Sequence, residues 1–252
     1  MDKISLVLGG GGVRCYTQIG VLKVLEKKQI KIDEVIGSSF GSLIGVCFAS
    51  GKTSIEIENM FTHVKVLRFL DPVSGFGRGL IKGEKLVDYV LDSIKCKKFS
   101  DLKIPFKTNA LDINSGEEKV LNKGSLREAL LAAIALPGVI PPKKIGTKYY
   151  MDGGIYNPLP IHLVGKKINK IIAVDCTDAI TKIDEKSNKV EVIQQMFSIL
   201  QTKERNNVIK NTKIKLVLIE TIDKKINVLD FRHSNMNDLI NIGEKKAKKV
   251  KL

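Results

Sequence analysis

The sequence predicts an α/β fold built on parallel strands, and three observations carry that expectation. Short apolar runs of β type alternate with segments of helical periodicity along the chain. The first two strand candidates each run into a glycine-bearing turn and then a helix, a βαβα order that requires parallel strands and a right-handed crossover. The 252 residues are 43% hydrophobic, enough for a sizeable core. No Pro/Ser/Gly-rich linker and no solenoid-length repeat divides the chain, so one domain spanning residues 1–252 is expected.

Taken in order, Ile4–Leu8 is an unbroken apolar run, as in a strand buried on both faces. After Gly9–Gly12, Cys15, Ile19, Leu22 and Leu25 recur at helical spacing, with Lys23, Glu26 and Lys27 opposite. Glu34–Ile36 is a second strand, and Ser42–Ala49 a largely buried helix ended by Gly51. Thr53-Ser54-Ile55-Glu56 is a capping box that opens another helix. Asp71–Gly83 reads as a loop and Glu84–Ile94 as an amphipathic helix. Pro105–Ile113 contains a strand that ends in the turn Asn114–Glu117. Ser125-Leu126-Arg127-Glu128 is a second capping box, and its helix must end before Pro137. A strand at Ile168–Cys176, a long helix at Val190–Ile209, a strand at Ile214–Ile219 and a helix near Asn237–Lys248 complete the pattern.

Bulk properties bound the function. The initial apolar run is too short for a secretory h-region, and no apolar stretch reaches the roughly 18 residues a spanning helix needs. Cys15, Cys47, Cys96 and Cys176 are scattered without a CxxC pair or metal-ligand spacing, which suits reduced thiols in the cytoplasm. The formal net charge is +15. Such a surface suits nucleic acid or an anionic membrane face. With 6% aromatics, no Trp and no RNA- or DNA-binding signature, nucleic acid is not expected. Peripheral contact with the inner membrane face stays open, beside the bland alternative of a Lys-rich surface selected for no partner.

The chemistry concentrates at three glycine-bearing signals. Gly37, Ser39 and Gly41 form the Gly-x-Ser-x-Gly nucleophile elbow, with glycines that let the backbones pass on either side of a strained serine. Ser39 then stands at the N-terminus of the following helix, where developing negative charge is favoured. The run Gly9–Gly12 fails the G-x-G-x-x-G dinucleotide pattern, because Arg14 or Cys15 falls at its last position, and no P-loop Lys follows. What remains is a row of backbone N–H groups at a strand-to-helix junction, and the oxyanion-hole role is assigned to Gly10, Gly11 and Gly12. Arg14 either orders that loop, meets an acidic headgroup as a substrate-binding residue, or forms an ordinary surface ion pair. Asp152, followed by Gly153 and Gly154, is the candidate base. His63, His162 and His233 lack a supporting motif and read as surface or structural residues.

Together these residues resemble the patatin-like phospholipase family, in particular its bacterial branch related to neuropathy target esterase. The resemblance runs through Leu6–Arg14, Ile19–Leu22, Gly37–Leu43, Asp101–Phe106, Asn114–Glu117, Leu136–Pro142 and, most specifically, Asp152–Pro160. It implies a patatin-like three-layer α/β/α sandwich with a mostly parallel central sheet. It also implies a Ser–Asp dyad without histidine, Ser39 as nucleophile, Asp152 as base and Gly10–Gly12 as the oxyanion loop. The family usually has Gly where this chain has Cys15, and a thiol there bears on the width of the site.

The expected activity is hydrolysis of acyl esters of phospholipids or lysophospholipids, with no cofactor and no metal: the chain has no calcium loop and no HExxH. Leu67–Leu80 is expected to form an apolar lip over the site. Two alternatives are a soluble carboxylesterase or thioesterase that never meets a membrane, and a catalytically silent lipid-binding module. Binding alone needs no nucleophile, which weighs against the second.

Overall fold

The computed structural model describes residues 2–62, 81–177, 183–185, 189–222 and 233–252. The expected lip at Leu67–Leu80 and His63 lie outside the described residues. The architecture is α/β around one sheet, in the order β5-β6-β3-β2-β1-β7-β8 with β4 also on β3. The strands are β1 (Ile4–Leu8), β2 (Glu34–Gly37), β3 (Phe106–Asp112), β4 (Glu118–Leu121), β5 (Lys143–Ile145), β6 (Lys148–Asp152), β7 (Lys170–Asp175) and β8 (Lys215–Glu220). The helices are α1 (Tyr16–Lys27), α2 (Phe40–Ala49), α3 (Ser54–Thr62), α4 (Glu84–Ile94), α5 (Leu126–Ala133), α6 (Lys189–Asn211) and α7 (His233–Lys249).

The period-2 alternation of buried strands separates two apolar layers. Leu6 and Leu8 of β1 face a large cluster with Ile19, Leu22 and Leu25 of α1 and Leu43 and Ile44 of α2. Val7 and Ile36 face the other way, onto Leu159, Ile161, Ile171 and Ala173, where Ile209 of α6 also packs. At about 25 cal/mol per Å² of apolar surface, both layers hold the sheet between coverings that neither face could do without. The capping box at Thr53 forms as expected: Glu56 N–H donates to Thr53 Oγ1 and Thr53 N–H to Glu56 Oε2.

The pairing β3-β2-β1-β7-β8 is parallel. Strands and helices do not, however, alternate throughout. The pairs β3–β4, β3–β6 and β5–β6 are antiparallel, an extension absent from the expected element order. Its strands are short and each carries lysine, with no apolar run longer than three residues to mark them. The register on β3 shows what this extension does. Thr108 pairs with Gly37 on one edge and Leu121 on the other, while Ala110 pairs with Lys119 and with Asp152. β4 takes one edge along its length, so β2 and β6 share the opposite edge, end to end. The end of β2 and the end of β6 therefore meet two residues apart along β3.

α1 and α7 pack closely because two glycines remove side chains from the contact. A Cβ on Gly20 would overlap the Ile240 carbonyl oxygen, and one on Gly243 would overlap that of Thr17. The basic end of the chain belongs to this pair: Ala247 is fully buried and Val250 and Leu252 pack on the core. No described helix is long and apolar enough to cross a membrane.

Candidate active site

Ser39 leaves β2 by a turn that few residues adopt, with φ 52° and ψ −132°. Backbone in such a region is strained and persists only where its surroundings dictate it. Here the surroundings are bare backbone: a Cβ at Gly37 would come 2.5 Å from Ser42 Cα, and one at Gly41 2.5 Å from the Gly9 oxygen. Those distances forbid any side chain at either flank, as the elbow motif predicts. Ser39 is the N-cap residue of α2 but its side chain does not cap the helix. It donates instead to Asp152 Oδ2 at 2.5 Å.

Asp152 ends β6 and begins a 3-10 turn whose Gly154 N–H donates to Asp152 Oδ1 at 2.8 Å. Both carboxylate oxygens thus have donors, and neither donor is an imidazole. Asp152 is buried, and burial pushes its pKa up to about 7 against the opposing pull of the Ser39 and Gly154 hydrogen bonds. Gly153 is required by close approach, since its Cβ would lie 2.7 Å from Asn109 Cγ.

Behind this turn runs a polar network that sequence reasoning did not assign. Asn109 Nδ2 donates to the Asn157 carbonyl oxygen at 3.0 Å and to Glu118 Oε1 at 2.9 Å. Ser38 Oγ donates to the same carbonyl at 3.4 Å. His162 sits at the exposed end of the network, with Nε2 2.8 Å from Glu118 Oε2 and Nδ1 3.0 Å from Asn157 Nδ2. Burial works against the Glu118 carboxylate, but hydrogen bonds from His162, Asn109 and Asn157 outweigh it and hold its pKa below the usual range. Both His162 nitrogens are engaged away from Ser39. His233 opens α7, and nothing is described of its side chain. The network's one trace in the sequence is Asn109, a fully buried amide in β3.

The glycine loop is placed beside the serine, with one change to its expected roles. Gly10 N–H is already donated to the Pro158 carbonyl oxygen at 2.8 Å, which removes it from the set of open donors. Its contribution is space: a Cβ there would stand 3.1 Å from Ser39 Cβ. Gly11 and Gly12 open the 3-10 turn Gly12–Cys15, where the first N–H groups have no intrahelical acceptor. Arg14 is buried rather than at the surface, and its Nε donates to the Gly11 carbonyl at 3.1 Å, so it braces the loop from within. The Cys15 thiol is fully buried and donates to the Gly9 carbonyl at 3.4 Å. Burial drives its pKa well up, leaving a neutral thiol under the loop.

The model for patatin-like phospholipases matches residues 6–164, and the chain belongs to that family. It is 34% identical over 175 residues to an uncharacterized NTE family protein of Mycobacterium bovis, covering 68% of this chain and 48% of that protein. It is 29% identical over 185 residues to a lysophospholipase, NTE1, of Debaryomyces hansenii, covering 69% of this chain and 12% of that protein. The chain thus spans about half the length of the mycobacterial relative and far less of the yeast one. Among solved structures, VipD from Legionella pneumophila has the same fold, with a TM-score of 0.62 over 98% of this chain and 66% of that one at 12% identity.

Proposed function

We propose that this protein is a serine acyl hydrolase, acting as one domain on acyl esters of phospholipids or lysophospholipids. The observation that carries the reading is the Ser39 Oγ–Asp152 Oδ2 contact of 2.5 Å on a strained elbow beside the glycine loop. Ionised Asp152 accepts the Ser39 proton as Oγ attacks the acyl carbonyl carbon. The N–H groups of Gly11 and Gly12 receive the negative charge on the tetrahedral oxygen, aided by the N-terminus of α2. Asp152 then passes its proton to the leaving alkoxide, freeing an alcohol or lysolipid and leaving the acyl group on Ser39. Water, deprotonated by Asp152, attacks that ester, and the proton returns to Ser39 as the fatty acid departs. The lipid substrate class is supported by family membership and by the name of the yeast relative, a lysophospholipase. Profiling the products from mixed phospholipids and lysophospholipids tests it, with Ser39→Ala as the comparison. Release of fatty acid by the parent alone is expected; turnover of short soluble esters with no fatty acid from any lipid would reassign the protein to the soluble esterases.

A further inference from the structure

α6 carries an apolar face that the rest of the described molecule does not cover. Arg205 anchors the helix to Asp175 at the end of β7, with Nε 2.6 Å from Oδ2, and Gln201 Nε2 donates to the Gly154 carbonyl at 2.8 Å. The helix therefore rests on the turn that presents Asp152. Its last turns lie over the sheet, where Val208 is buried and Ile209 packs on the second apolar cluster. At about 1.5 Å per residue, residues 189–204 run roughly 24 Å on from the Arg205 anchor, away from the strand-packed end. On that part Val192, Met196, Ile199 and Leu200 are 40%, 60%, 45% and 55% exposed. Their spacing puts them on one face. Exposed Lys203 continues the same stripe, and Tyr156, 51% exposed, stands on the turn beneath α6.

Charge says what this face meets. The chain carries a formal +15, and the end of α7, with exposed Lys249, lines one cavity with Glu220 and Ile222 at the end of β8. Glu220 is also a partner of Arg205, so the basic end of α7 lies on the same carboxyl edge of the sheet. Two copies meeting through this face would bring like-charged lysines together. An anionic bilayer satisfies both the apolar stripe and the lysines.

We propose that this face of α6, with Tyr156, is the surface by which the protein docks on an anionic lipid bilayer. The apolar side chains enter the headgroup boundary, and Lys203 and the end of α7 meet the anionic headgroups. Docking through α6 sets the Asp152 turn at the level of lipid ester bonds. The proposal takes its purpose from the lipid-ester reading above, but binding alone reads it out. The last residues of α7 are a poor subject for the test, because cutting after Glu244 would remove the buried Ala247.

The full chain is mixed with vesicles of phosphatidylcholine alone, or of equal parts phosphatidylcholine and phosphatidylglycerol, and bound protein is measured by sedimentation. The parent is expected to bind the mixed vesicles and to release as salt rises. The variant Met196→Ser/Ile199→Ser/Leu200→Ser is expected to bind them about tenfold or more weakly, with an unchanged rate on a soluble p-nitrophenyl ester. Because the chain has no Trp, Met196→Trp supplies an independent reporter. Its emission is expected to shift to the blue on mixed vesicles, while that of Ile55→Trp, at an exposed position of α3, does not. Failure of the parent to bind mixed vesicles, parent-like binding by the triple variant, or equal shifts at positions 55 and 196 would each overturn the proposal. So would conversion of a dimeric parent to a monomer with vesicle binding intact, which assigns the face to a second copy. Absence of ester turnover in the parent would defeat the hydrolase reading and leave the binding result standing.

Discussion

The two halves of the candidate dyad are held by different kinds of force. Ser39 is held by steric exclusion. Its turn lies between Gly37 and Gly41, and what fixes it is hard-sphere contact among backbones, with Ser42 on one side and with Leu8 and Gly9 at the end of β1 on the other. Asp152 is held from a distance. Its strand joins β3 antiparallel, its oxygen takes a hydrogen bond from Gly154, and its turn leans on Asn109 from the strand alongside. Steric exclusion gives an elbow that tolerates no substitution but is indifferent to pH. Tertiary placement gives a carboxylate whose chemistry is set by burial, and so a group that titrates near neutrality. The serine supplies geometry, and the aspartate supplies the pH dependence.

The sharpest way to break this comparison is to remove each chemical group without disturbing its support. Ser39→Ala should lower turnover of a soluble ester by about a thousandfold or more and abolish labelling by a fluorophosphonate probe. Labelling that persists, at Ser42 for example, would move the nucleophile. Asp152→Asn should cost about a hundred- to ten-thousandfold, the scale of general-base catalysis, with the circular dichroism spectrum unchanged.

The pH dependence follows from the raised carboxyl. Below a pKa of about 7 for Asp152, the base is protonated, so the rate should rise about tenfold per pH unit and level off above neutrality. A rate independent of pH between 5 and 8 would contradict the assignment of the base. Stability should run the other way. A carboxyl with ordinary value 3.8 in the unfolded chain and about 7 in the fold favours the folded state fully at low pH. That contribution is lost as pH rises through the window, by up to about 4 kcal/mol at about 1.4 kcal/mol per unit. In urea titrations Asp152→Asn should therefore gain stability relative to the parent at pH 8 and lose that advantage near pH 4.

Smaller effects separate the two supports. Gly41→Ala places a Cβ 2.5 Å from the Gly9 oxygen, and should cost about 1–3 kcal/mol in urea unfolding as well as activity. A tolerated alanine would show that the elbow can relax. His162→Ala trims only the exposed end of the network behind Asp152, so its rate should stay within about tenfold of the parent. A folded His162→Ala protein as slow as Ser39→Ala would restore a catalytic triad.

The legible parts of the molecule are those whose cause is local in sequence. The β1-loop-α1-β2-elbow-α2 order can be read from apolar runs, helical spacing and glycines, and α4 lies where its periodicity puts it, at Glu84–Ile94. The missed strands β4, β5 and β6 are short and carry lysines; β4 and β6 are strands because β3 offers them an edge, and β5 because β6 does, not because their residues insist on it. The Asn109–Glu118–Asn157–His162 network was missed for the same reason. Its members come from two distant stretches of chain, 109–118 and 157–162, and only the fold brings their polar atoms together. Gly10 shows a further limit: that a glycine is needed beside Ser39 can be read in the motif, but not that its N–H is spent on Pro158.

The sequence by itself determined which residues are candidates for chemistry, because a strained serine turn and a tight carboxylate turn both demand glycine at fixed offsets, and glycine leaves a visible mark. Tertiary structure decided that the two turns meet, through β2 and β6 sharing one edge of β3. It also decided that Asp152 titrates near neutrality, that Arg14 braces the loop from inside, and that Val192, Met196, Ile199 and Leu200 of α6 stay exposed. The physical reason is the same in each case. Burial, hydrogen-bond partner and edge pairing are relations between distant segments, and no single stretch of sequence carries them.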